Sequence, residues 1–409
     1  MSVKTNNIGL CVAENGVRIV YEEMPFLRSA ALGAFAQVGS RYESASENGI
    51  THFIEHMRFK GAGDKSGAEI ARRFDSIGGL VNASTSKSSV SFYTKILDEH
   101  AELALELLAD VILRPHMNAR DVELEKGVII EEINMYEDSP DDVVHEALQA
   151  AAFEGGPLAR PVLGNKENVL SFTRENLLNF SEAHICAQNL VVSLAGRISS
   201  SLVEKAQNLF GTLHRGEEKK TPLQVYKPGY ANREKDIEQT SIEIGYESAP
   251  FDTPDSYAAS LLATALGGGM SSLLFQKIRE EMGLAYSVGA FDSAFKDVGL
   301  FSIYASCAHD KVEAVIDAVF KILRDLPLTL NKKFFREVKD QRRALFAMGY
   351  ETSTTRMTAN AASMLFFNRR DSLDDHLNRI ESVELEHVLE LSKKMFSPQK
   401  VSIAKITGI

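Results

Sequence analysis

Thr51-His-Phe-Ile-Glu-His-Met57 is the stretch on which the reading of this chain turns. On a helix, His52 and His56 stand at i and i+4 and share one face. Two imidazoles then come within reach of one metal ion. Glu55 follows His52 by three residues, so its carboxylate leans over the same spot. Two neutral imidazoles with a carboxylate nearby suit Zn²⁺. An amphipathic helix with two partly buried histidines and an exposed Glu has the same spelling, so these five residues alone leave both readings open.

The order, with Glu before the second His, is the reverse of the usual zinc-hydrolase motif. A catalytic zinc ion takes three protein ligands and keeps one position for water. The third has to come from elsewhere. A predicted helix from Asn118 to about Asp138 offers Glu123, Glu125, Glu131, Glu132 and Glu137. Glu125 and Glu132 are seven apart and lie on nearly the same helical face. One can ligate while the other orients a His through its free ring nitrogen. Spacing does not choose Glu132 over Glu131, and a solvated acidic helix is the plain alternative.

Around this stretch the chain is long, with 409 residues, and two domains are expected. Hydrophobic content of 44% and charged content of 25% are those of a soluble globular protein. A net charge of −11 argues against nucleic acid and against anionic membrane surfaces as partners. Cys11, Cys186 and Cys307 are too few and too far apart for a disulfide framework, and no C-x-x-C is present. They read as small buried residues in a reducing compartment. Met1 to Leu10 contains no apolar h-region, and no stretch approaches about 18 uninterrupted apolar residues. The expected location is the bacterial cytoplasm, or the mitochondrial matrix for a protein whose presequence has been removed.

Strands are predicted at Val17 to Tyr21 and Ser29 to Val38. The His52 helix starts after Gly49 and ends near Gly61. A second helix, Ser66 to Ile77, stops at Gly78-Gly79. Leu80 to Ile96 reads as two extended segments around Lys87-Ser88, and Glu99 to Leu113 as a helix. His214 to Glu234 is polar and rich in breakers, a linker candidate. The second half restarts with a strand at Gln239 to Glu247. Ala30 to Phe59 and Ser241 to Phe275 follow the same order of elements, although the helix Ser256 to Leu266 carries no His. The expectation is an α+β protein of two homologous domains, 1–213 and 235–409, joined by a linker at 214–234.

Longer blocks carry a resemblance. They are Glu14-Asn-Gly-Val-Arg-Ile-Val, Val38-Gly-Ser-Arg-Tyr-Glu-Ser, His52-Phe-Ile-Glu-His-Met-Arg-Phe-Lys-Gly61, Gly78-Gly-Leu-Val-Asn-Ala-Ser-Thr85, Val128-Ile-Ile-Glu-Glu-Ile-Asn-Met-Tyr-Glu-Asp-Ser-Pro140, Leu266-Gly-Gly-Gly-Met-Ser-Ser272 and Arg279-Glu-Glu-Met-Gly-Leu-Ala-Tyr-Ser287. In order and spacing the chain resembles the pitrilysin and insulin-degrading-enzyme family of zinc peptidases, in particular its bacterial and mitochondrial processing-peptidase branch. The resemblance implies two α/β-sandwich domains with mixed, mainly antiparallel sheets, related by internal duplication and forming half of a clamshell chamber. It implies one Zn²⁺ per chain on His52, His56 and Glu132, with Glu125 in support and Glu55 as general base. It brings Arg279 and Tyr286 from the second half to the reacting carbonyl, and it makes Asn82 and Ala83 part of an edge strand that pairs with the substrate main chain. The implied activity is a zinc endopeptidase acting on short, unfolded or presequence-like peptides. The implied assembly is a homodimer, or a heterodimer with a related subunit. A catalytically silent subunit, binding substrate or serving as scaffold, is the alternative.

Four features stand apart from the family pattern or extend it. Arg58 occupies a position that is mostly aliphatic in the family, and is expected to reach solvent or to pair with an acid. Leu274 stands where many relatives have Arg. Glu131 to Glu146 holds seven acids and no Lys or Arg, which favours basic peptides if it faces the substrate, though a solvated helix end is the common explanation. Gly267 to Gly269 reads as a flexible loop at a chamber mouth or as a helix C-terminal turn.

Overall fold

The computed structural model describes residues 8–408. In chain order its strands are β1 (Ile8–Val12), β2 (Arg18–Glu23), β3 (Ser29–Ala36), β4 (Gly61–Ala62), β5 (Lys65–Ser66), β6 (Leu80–Thr85), β7 (Val90–Leu97), β8 (Leu190–Gly196), β9 (Tyr230–Lys235), β10 (Thr240–Ser248), β11 (Ala285–Ala294), β12 (Gly299–Cys307) and β13 (Ser402–Gly408). The first five helices are α1 (Ile50–Arg58), α2 (Gly67–Ser76), α3 (Ala101–Leu113), α4 (Ala119–Asp138) and α5 (Pro140–Ala152). Ser139 ends α4 and caps α5, its hydroxyl accepting from the Asp142 N–H, so the expected stop at Ser139-Pro140 is also a start.

Two compact units result, and neither is contiguous in sequence. One comprises 1–133, 160–222 and 348–373; the other comprises 134–159, 223–347 and 374–409. This departs from the expected linear division. The change from Pro222 to Leu223 does fall inside the predicted linker, but that segment is pinned rather than loose. The buried Arg41 donates from Nε to the Pro222 carbonyl at 3.0 Å, and the Tyr226 hydroxyl reaches the Lys400 carbonyl at 2.7 Å.

The first unit is built on a six-stranded sheet in the order β1-β2-β8-β3-β7-β6. Only β2 and β8 run parallel; the other neighbours are antiparallel. Strand β3 reads SAALGAFA and is buried almost throughout, because both faces of the sheet are covered. Ile19, Leu32 and Ala34 pack with α1 and α3 residues on one face. Val20, Ala31 and Phe35 meet Met357, Ala361 and Met364 of the helix Ser353–Phe367 on the other.

The second unit repeats the plan with five strands in the order β11-β12-β10-β13-β9. Here β13 and β9 are the parallel pair, and the rest are antiparallel. Chain order and strand direction match β6-β7-β3-β8-β2 one for one. The duplication expected from weak sequence similarity is therefore present in the topology. Ile242 and Ile244 face the helices Pro254–Gly267 and Leu385–Met395. On the opposite face Val144 and Leu148 of α5 pack on Tyr304, Ala404 and Ile406. Each sheet thus takes its second layer from the other half of the sequence.

Candidate metal centre

Helix α1 is fixed at both ends by buried polar side chains, Glu43 and Arg58. It enters through Gly49, whose φ of 100° suits glycine and whose Cβ position would lie 2.8 Å from the Leu163 carbonyl oxygen. The Glu43 carboxylate accepts from the N–H of Gly49 at 2.8 Å and of Thr51 at 2.9 Å. Those are helix-start amides that have no partner within the helix. Ile50, Phe53, Ile54 and Met57 then turn the apolar face of α1 into the core.

At the other end Arg58 does not reach solvent or pair with an acid, contrary to expectation. It is fully buried, and its Nη1 donates to the carbonyls of Val111 and Ile112, the last turn of α3. Nη2 donates to Ser181 Oγ at 2.6 Å, and the guanidinium lies over the Phe92 ring at 5.6 Å. Burial lowers its pKa to about 10, which still leaves it charged at neutral pH. A cation at a helix C-terminus meets the negative end of the helix dipole. That explains how an arginine fits where an aliphatic residue was expected.

The exposed side of α1 faces the acidic helix α4. His52 Nε2 lies 3.5 Å and His56 Nε2 3.4 Å from the same oxygen, Glu132 Oε2. One ligand atom from each of the three residues falls within 4.8 Å of the others. The rings meet edge to face, with centroids 4.6 Å apart. Two imidazole nitrogens and one carboxylate oxygen form the donor set of a catalytic zinc site, so these residues fit the ion. Glu131, the neighbour that spacing could not exclude, is not part of the group.

Around this group the supporting contacts are charge-assisted. Glu125 Oε1 accepts from His56 Nδ1 at 2.8 Å, while its Oε2 meets Lys60 Nζ at 2.6 Å. This orients His56 through its free nitrogen. Burial works against charge on His56, but its bonds to Glu125 and Glu132 prevail and raise its pKa to about 9. Burial and the neighbouring His56 lower the His52 pKa to about 4. The Nδ1 of His52 is buried with no partner among the described residues.

Glu55 lies beside the group. Burial raises its pKa, and Thr85 Oγ1, at the end of β6, donates to its Oε2. Thr85 was part of a quoted block but was given no role, because nothing in the sequence aims a strand residue at a helix. Asn82 and Ala83 lie on β6, which is an edge strand, as expected. The Asn82 carboxamide oxygen accepts from the Ala83 N–H at 2.8 Å.

Arg279 and Tyr286 belong to the second unit. Arg279 sits in a π-helical turn, Phe275–Glu281, with its guanidinium 4.7 Å from the Phe275 ring centroid and 4.5 Å from that of Tyr286. Tyr286 is 76% exposed. In the same unit Gly267 ends a helix so close to β11 that a Cβ would lie 2.0 Å from the Ala290 nitrogen. The glycine run is a helix C-terminal turn in close contact with the sheet. Leu274 is fully buried in the core. Of the seven acids in 131–146, Glu132 faces the histidines, Glu137 pairs with Lys235, and Asp141 accepts from Ser241 and Tyr304. Packing thus occupies much of that charge.

The chain is similar to known proteins over most of its length. Residues 18–166 match the family description "Insulinase (Peptidase family M16)", and residues 171–368 match "Peptidase M16 inactive domain". The uncharacterized zinc protease YmxG of Bacillus subtilis is 36% identical, with 94% of each chain covered. An uncharacterized zinc protease of Rickettsia felis is 34% identical over 96% of this chain and 95% of its own. Among solved structures, a protease from Helicobacter pylori superposes with a TM-score of 0.89 at 20% identity, covering 98% of this chain and 99% of its own. A peptidase M16 inactive domain from Pseudomonas fluorescens gives 0.87 at 20% identity, with 98% of both chains covered.

Proposed function

From membership of peptidase family M16, the pitrilysin and insulinase family to which this chain belongs, we propose that it is a zinc-dependent endopeptidase. The observation that carries the reading is the convergence of His52, His56 and Glu132, with Glu55 beside them. His52, His56 and Glu132 would hold the zinc ion, which when bound would lower the pKa of water and polarise a peptide carbonyl. Glu55 takes the proton of the attacking water and passes it to the leaving amine. Thr85 fixes the carboxylate for that transfer, and Glu125 fixes His56. The unpaired outer edge of β6 suits an extended peptide added as a further strand, near Asn82 and Ala83. Reading main-chain geometry rather than side chains favours short, unfolded or presequence-like peptides. Arg279 and Tyr286, stacked as a pair, are assigned to the charge that develops on the carbonyl oxygen. Preference for basic peptides, a homodimer or related-subunit dimer, and a cytoplasmic or matrix location belong to the same proposal. Among the described residues no helix is long and apolar enough to cross a membrane.

One observation favours a second reading, a catalytically silent subunit: the family description matched by 171–368 is that of an inactive domain. That segment contains none of the metal-binding group, which lies within 18–166. The test is zinc content together with cleavage of a quenched basic peptide, by the wild type and by Glu55→Gln. Retained zinc with turnover reduced about 100-fold or more is expected for the variant. Equal turnover by both proteins would remove Glu55 from the mechanism, and a wild type that binds zinc without cleaving would favour the silent subunit.

A further inference from the structure

The second unit contains a cavity of about 500 Å³ that none of the chemistry above uses. Its volume is that of a small-molecule site. The wall is apolar: Phe320 and Leu323 come from the helix Val312–Thr329, Phe396 follows the helix Leu385–Met395, and Ile403 comes from β13. Tyr246 of β10 also lines it, with its ring edge-on to Phe396 at 5.1 Å. The Tyr246 hydroxyl makes no hydrogen bond within the protein among the described residues, whereas that of its neighbour Tyr226 bonds the Lys400 carbonyl and Ser402 Oγ, 2.7 and 2.8 Å away.

Two exposed cations, Arg324 and Lys393, border the same cavity. Arg324 faces Asp325 at 3.9 Å, an exposed pair that water screens strongly. Lys393 has no ion pair among the described residues. On a chain of net charge −11, two cations beside an apolar wall, with a tyrosine hydroxyl able to donate, make a local site for an anion with a greasy body.

We propose that this cavity binds a carboxylate with an apolar tail, the class to which medium-chain fatty acids belong. The tail lies against Phe320, Leu323 and Phe396, and the carboxylate meets Arg324 and Lys393 with the Tyr246 hydroxyl available to donate. The inference is independent of peptidase activity.

Calorimetric titration of the full chain with dodecanoate, below its micelle concentration, tests it. One equivalent is expected to bind. Dodecanol, equally long but uncharged, is expected to bind at least about tenfold more weakly, as is dodecanoate to the double variant Arg324→Glu, Lys393→Glu. Tyr246→Phe is expected to weaken binding several-fold, roughly the worth of one hydrogen bond. Leu323→Trp fills the cavity and is expected to abolish binding. If that core substitution prevents folding, seen by melting, the surface double variant carries the test alone. Zinc content should stay at the wild-type level in every folded variant. No saturable binding of dodecanoate, equal affinity for dodecanol, or unchanged affinity in the charge-reversed protein overturns the proposal.

Discussion

At the scale of single residues, Thr85 is the group whose removal separates positioning from folding. Its hydroxyl donates to Glu55, the proposed base, and touches no metal ligand in the hydrogen-bond network. Thr85→Val keeps the shape and removes the donor. It is expected to lower kcat about tenfold or more with zinc content and KM nearly unchanged, and Thr85→Ser is expected to restore most of the rate. Steady-state kinetics with metal analysis checks this, and a normal kcat in Thr85→Val denies the role. The site was unevenly legible. His52, Glu55 and His56 stand in one helical turn, so local periodicity brings them together. Glu132 lies on another helix, and only the resemblance, later the fold, separated it from Glu131. Thr85 and Glu43 were invisible because their roles depend on which strand and which loop end beside α1. A second residue-scale prediction concerns pH. Burial raises the Asp292 pKa to about 6, against the hydrogen bond from Ser248 and the charge of Arg342. A carboxyl whose folded pKa is raised favours the folded state below its unfolded pKa of about 4, and that stability is lost as pH rises through about 6. Asp292→Asn is expected to be more stable than wild type by about 2 kcal/mol at pH 8, with the gap closing near pH 4, as read by urea unfolding.

At the scale of elements, α1 is held by Glu43 at its start and Arg58 at its end. Both are buried polar side chains whose partners include backbone groups of helix termini, so truncating either leaves those groups unsatisfied. Glu43→Ala and Arg58→Ala are each expected to cost about 3 kcal/mol of unfolding free energy. Glu43→Ala should also weaken zinc binding, since the histidines ride on the helix it anchors. Denaturant titration and metal competition measure the two effects, and a loss below about 0.5 kcal/mol would show the clamp to be incidental. Most elements were readable from the chain. The helix expected between Gly49 and Gly61 is Ile50–Arg58, that expected from Ser66 to Ile77 is Gly67–Ser76, and the turn at Lys87-Ser88 joins β6 to β7. Caps and periodicity are local signals, and they survive folding. Arg58 was misjudged because a charge on a helix reads as solvent-facing unless a carbonyl terminus waits in the core, and no local pattern reveals that.

At the scale of the molecule, the halves of the sequence are not the units of the fold. The topological repeat was foreseen, yet the exchange of covering helices was not, because amphipathicity tells that a helix has an apolar face and not which sheet it covers. In the first unit Met357, Ala361, Met364 and Leu365 are buried against β2, β3 and β8, each worth roughly 1–3 kcal/mol. The fragments 1–222 and 223–409, produced separately, are therefore expected to aggregate or to melt at least about 10 °C below the whole chain. Produced together, they are expected to recover a soluble complex. Scattering and melting curves decide this, and two well-folded separate fragments would contradict the exchange.

That exchange also sets a timetable for biosynthesis. The first sheet has all its strands once residue 196 has left the ribosome, but the helix that seals its outer side ends only at Phe367. At elongation rates of roughly 5–20 residues per second, the nascent sheet waits on the order of ten seconds or more with one greasy side open. Helix α5 meanwhile emerges long before the last strand it will cover, at Ser402–Gly408. In a chain so ordered the first sheet is covered only after Ser353–Phe367 is made, and the second is complete only after Ser402–Gly408.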